Sequence, residues 1–162
     1  MIRGDFAVNR SNPKAQLVLG WFRLAHFLRA SPQGAKNPLT AVVGVSYRIS
    51  VEWILGIEIP WKLQVGKRLR LYHGVGIVIN DGCVIGDDVT IRQGVTIGHT
   101  APGGPCPVIG NNVEIGAGAT IIGRVTVGNG AKIGANALVV HDIPANSVAI
   151  SPVAKLVSRD ED

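Results

Sequence analysis

From Ile59 onward one aliphatic residue recurs at every sixth position, a period that no α-helix keeps on one face and that an ordinary β-sandwich would show only by accident of spacing. Ile59, Val65 and Leu71 are six apart; after a slip of two come Ile79, Ile85, Ile91 and Ile97; after twelve come Ile109, Ile115, Ile121, Val127, Ile133 and Val139. Six helical steps of about 100° leave the stripe about 240° out of phase, so a helix would scatter these side chains around its surface. Glycine follows the aliphatic at 66, 86, 98, 110, 116, 128 and 134, and a small or apolar residue stands four positions after it, as at Leu63, Val89, Val113 and Ala131. Short fixed repeats of this kind build solenoids. The spacing predicts a triangular prism in which each hexapeptide supplies one short strand and one corner, with the aliphatic pointing inward. Three hexapeptides close a coil, and residues 59–144, less the slip and one insertion, hold thirteen of them, a little over four coils.

Composition agrees with a core of this type. Aromatic residues make up only 5% of the 162, so Val, Ile, Leu and Ala must fill the interior. The net charge of +5 is spread along the chain with no basic block, which argues against nucleic acid and suits an anionic small molecule. The two cysteines, Cys83 and Cys106, form neither a disulfide framework nor a zinc pattern, and a reducing compartment is expected. MIRGDFAVNR has no signal-peptide core. The most apolar stretch, 38–57, is interrupted by Arg48 and Glu52, whereas a membrane span needs about 20 mostly apolar residues. A soluble, cytoplasmic protein is the expectation.

Two helices are expected before the repeat. Asn12-Pro13 and Asn37-Pro38 each read as an N-cap followed by proline in the first helical position. The first helix runs to about Ala30, with Leu17, Trp21, Leu24 and Leu28 on one face. The second runs from Pro38 to about Leu55, with Val42, Val45, Ile49 and Trp53 on one side and Gly56 as its stop. The chain then divides into a helical cap (1–57), a β-helix (58–150) with a projecting loop at 99–108, and a tail (151–162). The cap would cover the open end of the prism and protect its first strand edges.

A solenoid spends most of its residues on its own core, so function is sought where the repeat breaks. One break is the slip at Tyr72-His73-Gly74-Val75-Gly76; the other is the Gly- and Pro-rich loop HTAPGGPCPV. A bulge at the slip would throw a side chain outward, and His73 is the candidate. An imidazole titrates near neutrality and can move a proton. The remaining histidines, His26, His99 and His141, show no ligand-like spacing with it, so no metal is expected.

Four stretches, GIEIPWKLQVGKRLRLYHGVG (56–76), IGDDVTIRQGVTIGHT (85–100), IGAGATIIGRVTVGNGAKIGANALVV (115–140) and SPVAKLV (151–157), resemble the serine O-acetyltransferase superfamily of hexapeptide-repeat acyltransferases. Within it the chain resembles the short colanic acid and exopolysaccharide biosynthesis acetyltransferases. The resemblance implies a left-handed parallel β-helix, a handedness that the spacing does not provide. It implies His73 as the general base acting on an acceptor hydroxyl, with Glu58 in the place of an orienting aspartate. It implies acetyl-CoA as co-substrate, with Gly98, Gly116, Ala117 and Ala135 against the pantetheine and Lys132 and Lys155 near its phosphates. Gln93 and His99 would line the acceptor pocket.

Two departures bear on the acceptor. Serine acetyltransferases carry an aspartate before the base and an Arg-His pair in the projecting loop, which together hold an amino acid. Here Tyr72 precedes the base and Pro105-Cys106 stand in the loop. An amino acid needs both a cation and an anion; Tyr72 offers a ring face and a hydroxyl instead, which suit a sugar. The expectation is therefore a sugar O-acetyltransferase, with serine acetylation and a non-catalytic scaffold as alternatives. A groove between prisms needs more than one chain, so a homotrimer is expected. A peripheral membrane contact through the helices' exposed faces, with Arg23 and Arg29, is a further expectation.

Overall fold

The computed structural model describes residues 2–31 and 37–153. Three α-helices come first: α1 (Ile2–Val8), α2 (Pro13–Ala30) and α3 (Pro38–Tyr47), the last widening into a π-helical segment, Arg48–Ile54. Asn12 and Asn37 cap α2 and α3 as the sequence requires, their side chains accepting from Ala15 N–H and Leu39 N–H. Gly56 ends the second helical stretch in the left-handed region, φ 62°. Helix α1 was not anticipated.

Thirteen short strands follow: β1 (Gln64–Val65), β2 (Arg70–Tyr72), β3 (Val78–Ile79), β4 (Val84–Ile85), β5 (Thr90–Arg92), β6 (Thr96–Gly98), β7 (Val108–Ile109), β8 (Glu114–Ile115), β9 (Thr120–Ile122), β10 (Thr126–Val127), β11 (Lys132–Ile133), β12 (Leu138–Val139) and β13 (Val148–Ala149). They make three parallel sheets, β1-β4-β7-β10, β2-β5-β8-β11-β13 and β3-β6-β9-β12. We call these the first, second and third faces of a three-sided solenoid. Register follows the repeat: Ile91 lies beside Leu71 and Ile115, and Ile97 beside Ile79 and Ile121. Twelve of the thirteen repeat aliphatics are buried, and Val65, in the first coil, is half-buried against the core.

The cap closes the prism with polar groups. The first coil has no preceding coil to pair its backbone, and orphaned backbone groups are costly. Side chains of the helices supply the partners. Tyr47 Oη donates to Ile59 O (2.7 Å), and His26 Nδ1–H donates to Trp61 O (2.9 Å). Asn9 donates to Leu69 O and accepts from Leu71 N–H, while Asn12 donates to Leu71 O. Arg23 donates to Val65 O and Gly66 O, and its Nε pairs at 2.8 Å with Asp5, which also accepts from Leu69 N–H. Burial pushes the Tyr47 phenol above its ordinary range, with the Glu52 carboxylate adding to the effect.

These bonds decide which helix faces turn inward. Ala15, Val18, Leu19, Phe22, Arg23 and Ala25 of α2 are buried, whereas Leu17 is 57% exposed and Leu24 45%. Val42, Val45, Ile49 and Trp53 also face outward. Of the stripes visible in the sequence, Trp21 packs against the core, but the rest do not supply the packing faces. Arg23 is only 4% exposed and cannot meet a membrane surface; Arg29 is exposed, its guanidinium 6.0 Å from the Trp61 ring centroid.

Helix α3 meets the first coil at Gly44. A Cβ built there would lie 1.8 Å from Trp61 Cη2, far inside any contact distance. Gly44→Ala must expel the indole. Overpacking costs about 1–3 kcal/mol, more than the roughly 1 kcal/mol of helix propensity that Ala returns. A lower denaturation midpoint is expected; an unchanged one would show that Trp61 is not seated against α3.

Candidate active site

The slip proves to be a two-residue bulge. Tyr72 pairs with Arg92 across the second face, and Gly94 N–H donates to Val75 O, so His73 and Gly74 are the residues without counterparts in the next coil. Gly74 N–H donates to Tyr72 O (2.8 Å) and Val75 N–H to His73 O (2.9 Å), making two successive three-residue turns. His73 and Gly74 both have positive φ, 64° and 68°. For glycine this is ordinary; for histidine at the centre of such a turn it is strained. Among the described residues the other non-glycine positions with positive φ, Arg68, Asp88, Asn112, Asn136 and Asn146, occupy repeat corners. His73 alone among them sits in an interruption, and it is exposed.

His73 lies on the edge between the second and third faces. Gln93, Ala117, Ala135 and Asn136 follow it down that edge, tied by Gly118 N–H to Gln93 O and Asn136 N–H to Ala117 O. The edge between the first and second faces is spent on its own structure: Asn129 accepts from Asn111 N–H, Asn111 from Asp87 N–H and Asp87 from Lys67 N–H. The loop leaves the third edge, between β6 and β7. Gly98 and His99 are at its root and Cys106 at its return, where Sγ donates to Asn80 Oδ1 (3.2 Å). Within one chain, then, Tyr72, His73, Gln93, Ala117 and Ala135 share one edge, and Gly98, His99 and Cys106 share another. The third face lies between them, with Val78 and Leu138 exposed on it.

Glu58 lies beside the bulge. It bridges to Val78, its N–H donates to Ile77 O, and Gly76 N–H donates to Gly56 O. Among the described residues no hydrogen bond joins its carboxylate to the His73 ring. A second carboxylate, Glu52, was missed by sequence reasoning. Burial holds it above the usual carboxylate range, Arg48 pulls it back, and Glu58 pushes it up again. Its signal was present, as the acid interrupting an apolar helix.

The glycines at the corners divide by role. A Cβ on Gly116 would lie 2.5 Å from Ala135 N, and Gly66, Gly86, Gly110 and Gly128 are similarly crowded by the next coil. Coil stacking alone requires these residues to be small. Gly98 differs: its Cβ would meet Asn80 Cβ at an ordinary 3.5 Å. The stack does not demand glycine there. Lys132 is paired with Glu114 at 3.0 Å, both well exposed, so binding a phosphate would compete with that pair. Lys155 lies outside the described residues. Tyr72 is exposed, but one ring face carries the Arg92 guanidinium, 4.9 Å from the centroid. Cys83 is buried, and burial pushes its thiol up to about 12.

Residues 106–141 match the family described as bacterial transferase hexapeptide (six repeats). The chain is 42% identical over 140 residues to the "Putative colanic acid biosynthesis acetyltransferase WcaB" of Escherichia coli K12, which covers 83% of this chain and 85% of that protein. It is 46% identical over 110 residues to the serine acetyltransferase of Helicobacter pylori, over 67% of this chain and 64% of that one. Among solved structures, soybean serine acetyltransferase apoenzyme matches with a TM-score of 0.78 at 32% identity, over 96% of this chain and 67% of that chain. A serine acetyltransferase in complex with CoA matches at 0.75 and 28% identity, over 96% and 68%. These neighbours give the solenoid its hand, left. By its repeat, its fold and its likeness to WcaB over 83% of its own length, the chain belongs to the hexapeptide-repeat acetyltransferases.

Proposed function

We propose that the protein transfers acetyl from acetyl-CoA to a sugar hydroxyl in exopolysaccharide biosynthesis of the colanic acid type, with His73 as general base. The observation that carries this reading is the strained bulge that holds an exposed imidazole outside the repeat. His73 would accept the proton of the acceptor hydroxyl as that oxygen attacks the thioester carbonyl, and return it to the departing thiolate. Glu58 would steady the imidazolium, after a side-chain rotation that brings its carboxylate to the ring. Gly98, Gly116, Ala117 and Ala135 leave room for pantetheine to lie against the backbone, which fits acetyl-CoA as co-substrate.

The two edges that hold these residues are separated by the third face. A homotrimer that packs this face would set the His73 edge of one copy near the loop edge of its neighbour, and the exposed Val78 and Leu138 favour that burial. Acetyl-CoA as co-substrate supports a cytoplasmic site of action; among the described residues no helix is long and apolar enough to cross a membrane.

The sugar reading is supported by the WcaB likeness over most of both chains and by Tyr72 and Pro105-Cys106 at the two positions of departure. Serine acetylation is the second reading, favoured by the Helicobacter pylori likeness and the structural neighbours. A thiol-release assay with acetyl-CoA across L-serine, nucleotide sugars and oligosaccharide fragments separates them. Release with a saccharide and not with serine is expected; release with serine alone would overturn the sugar reading.

A further inference from the structure

We propose that Arg92 makes the acceptor site select an acidic sugar, one whose ring carries a carboxylate or a phosphate near the hydroxyl that is acetylated. This rests on the sugar O-acetyltransferase reading and adds the charge class of the acceptor.

Arg92 ends β5 opposite Tyr72, the residue immediately before the base. Its guanidinium stands 4.9 Å from the Tyr72 ring centroid. Such a contact fixes the plane of the guanidinium without using its N–H groups. Among the described residues no protein acceptor uses them either. The ion pairs among the described residues are Asp5–Arg23, Arg48–Glu52, Arg68–Asp88 and Glu114–Lys132, none of which involves Arg92. The residue is exposed, so its N–H donors are open to solvent while the Tyr72 ring holds the guanidinium in place. That is the arrangement that binds a carboxylate or phosphate in bidentate fashion.

Its position assigns the anion to the acceptor. The register that pairs Ile91 with Ile115 sets Arg92 beside Gly116, and Gln93 follows it on the His73 edge. Arg92 therefore stands between the base and the residues offered to pantetheine. The phosphates of the coenzyme lie a whole pantetheine arm from its thioester, whereas the acceptor must sit at the base.

The test compares wild type, R92Q and R92K in the thiol-release assay. The acceptors are methyl β-D-glucuronide, glucose 6-phosphate, neutral methyl β-D-glucoside and L-serine. Wild type should favour one acidic sugar over the glucoside by at least about tenfold in kcat/KM, and which acid is used tells carboxylate from phosphate. R92Q should lose about 10- to 100-fold with that acid, concentrated in its KM, while the KM for acetyl-CoA holds; R92K should recover part. Equal or better use of the glucoside, turnover of no sugar, or an acidic preference that survives R92Q would overturn the proposal. Turnover of serine with no sugar would sink the sugar reading as well, whereas a preferred glucoside would leave that reading standing.

Discussion

His73→Asn should give a folded protein whose acetyl transfer falls about 10²- to 10⁴-fold, the usual worth of a positioned general base. His73 is exposed, so its replacement costs little packing, and Asn tolerates left-handed φ better than most residues. His73→Gly should lose activity to the same degree while gaining stability. A non-glycine residue in the left-handed region costs roughly 1–2 kcal/mol, and glycine gives back about 0.5–1 kcal/mol of that through its freer unfolded chain. A small rise in denaturation midpoint with loss of turnover is thus expected for H73G. Strain kept at an exposed side chain is what a working residue would show. Turnover by H73N near the wild-type rate would remove the chemical role and leave only the architecture.

Asp5→Ala should destabilise the protein by about 3–5 kcal/mol, the usual cost of removing one partner from a buried ion pair. The side chains of Asp5 and Arg23 are 1% and 4% exposed, so solvent screens neither charge. The substitution also takes the acceptor from Leu69 N–H in the first coil. The loss falls on the join between cap and prism, because Arg23 reaches Val65 O and Gly66 O from the same position. Urea titration at fixed protein concentration measures it, since assembly would otherwise shift the midpoint. A loss below about 1 kcal/mol would show that the pair does not hold α1 to the coil.

The prism was legible because its core obeys a single period. An aliphatic every six residues defeats a helix over the whole run, and twelve of the thirteen side chains that keep that period bury. The cap was legible only at its helix starts, where Asn-Pro has a local cause. Its inward faces were not, because the apolar stripe rule assumes that a helix packs against apolar surface. These helices pack against a strand edge and meet it with Asn9, Arg23, His26 and Tyr47. Helix α1 has seven residues and no cap signal, and its one anchoring acid, Asp5, pairs with a residue eighteen positions away.

The site divides in the same way. His73 stood out because it breaks the period. Arg92 did not, because it keeps the period at an outward position where any polar residue fits; only the register with Tyr72 gives it a neighbour. Gly98 looked like its fellow corner glycines in sequence. The next coil crowds Gly66, Gly86, Gly110, Gly116 and Gly128 and leaves Gly98 room, a distinction that exists only in three dimensions.

The central claim is that the His73 imidazole works beside a thioester held along the prism. A crystal structure of the assembled protein with CoA tests it directly. The thiol sulfur should lie about 6 Å from a His73 ring nitrogen, leaving room for one hydroxyl oxygen between them, with pantetheine against Gly98, Gly116, Ala117 or Ala135. A coenzyme bound with its sulfur on another edge, out of reach of every copy's His73, would contradict the account.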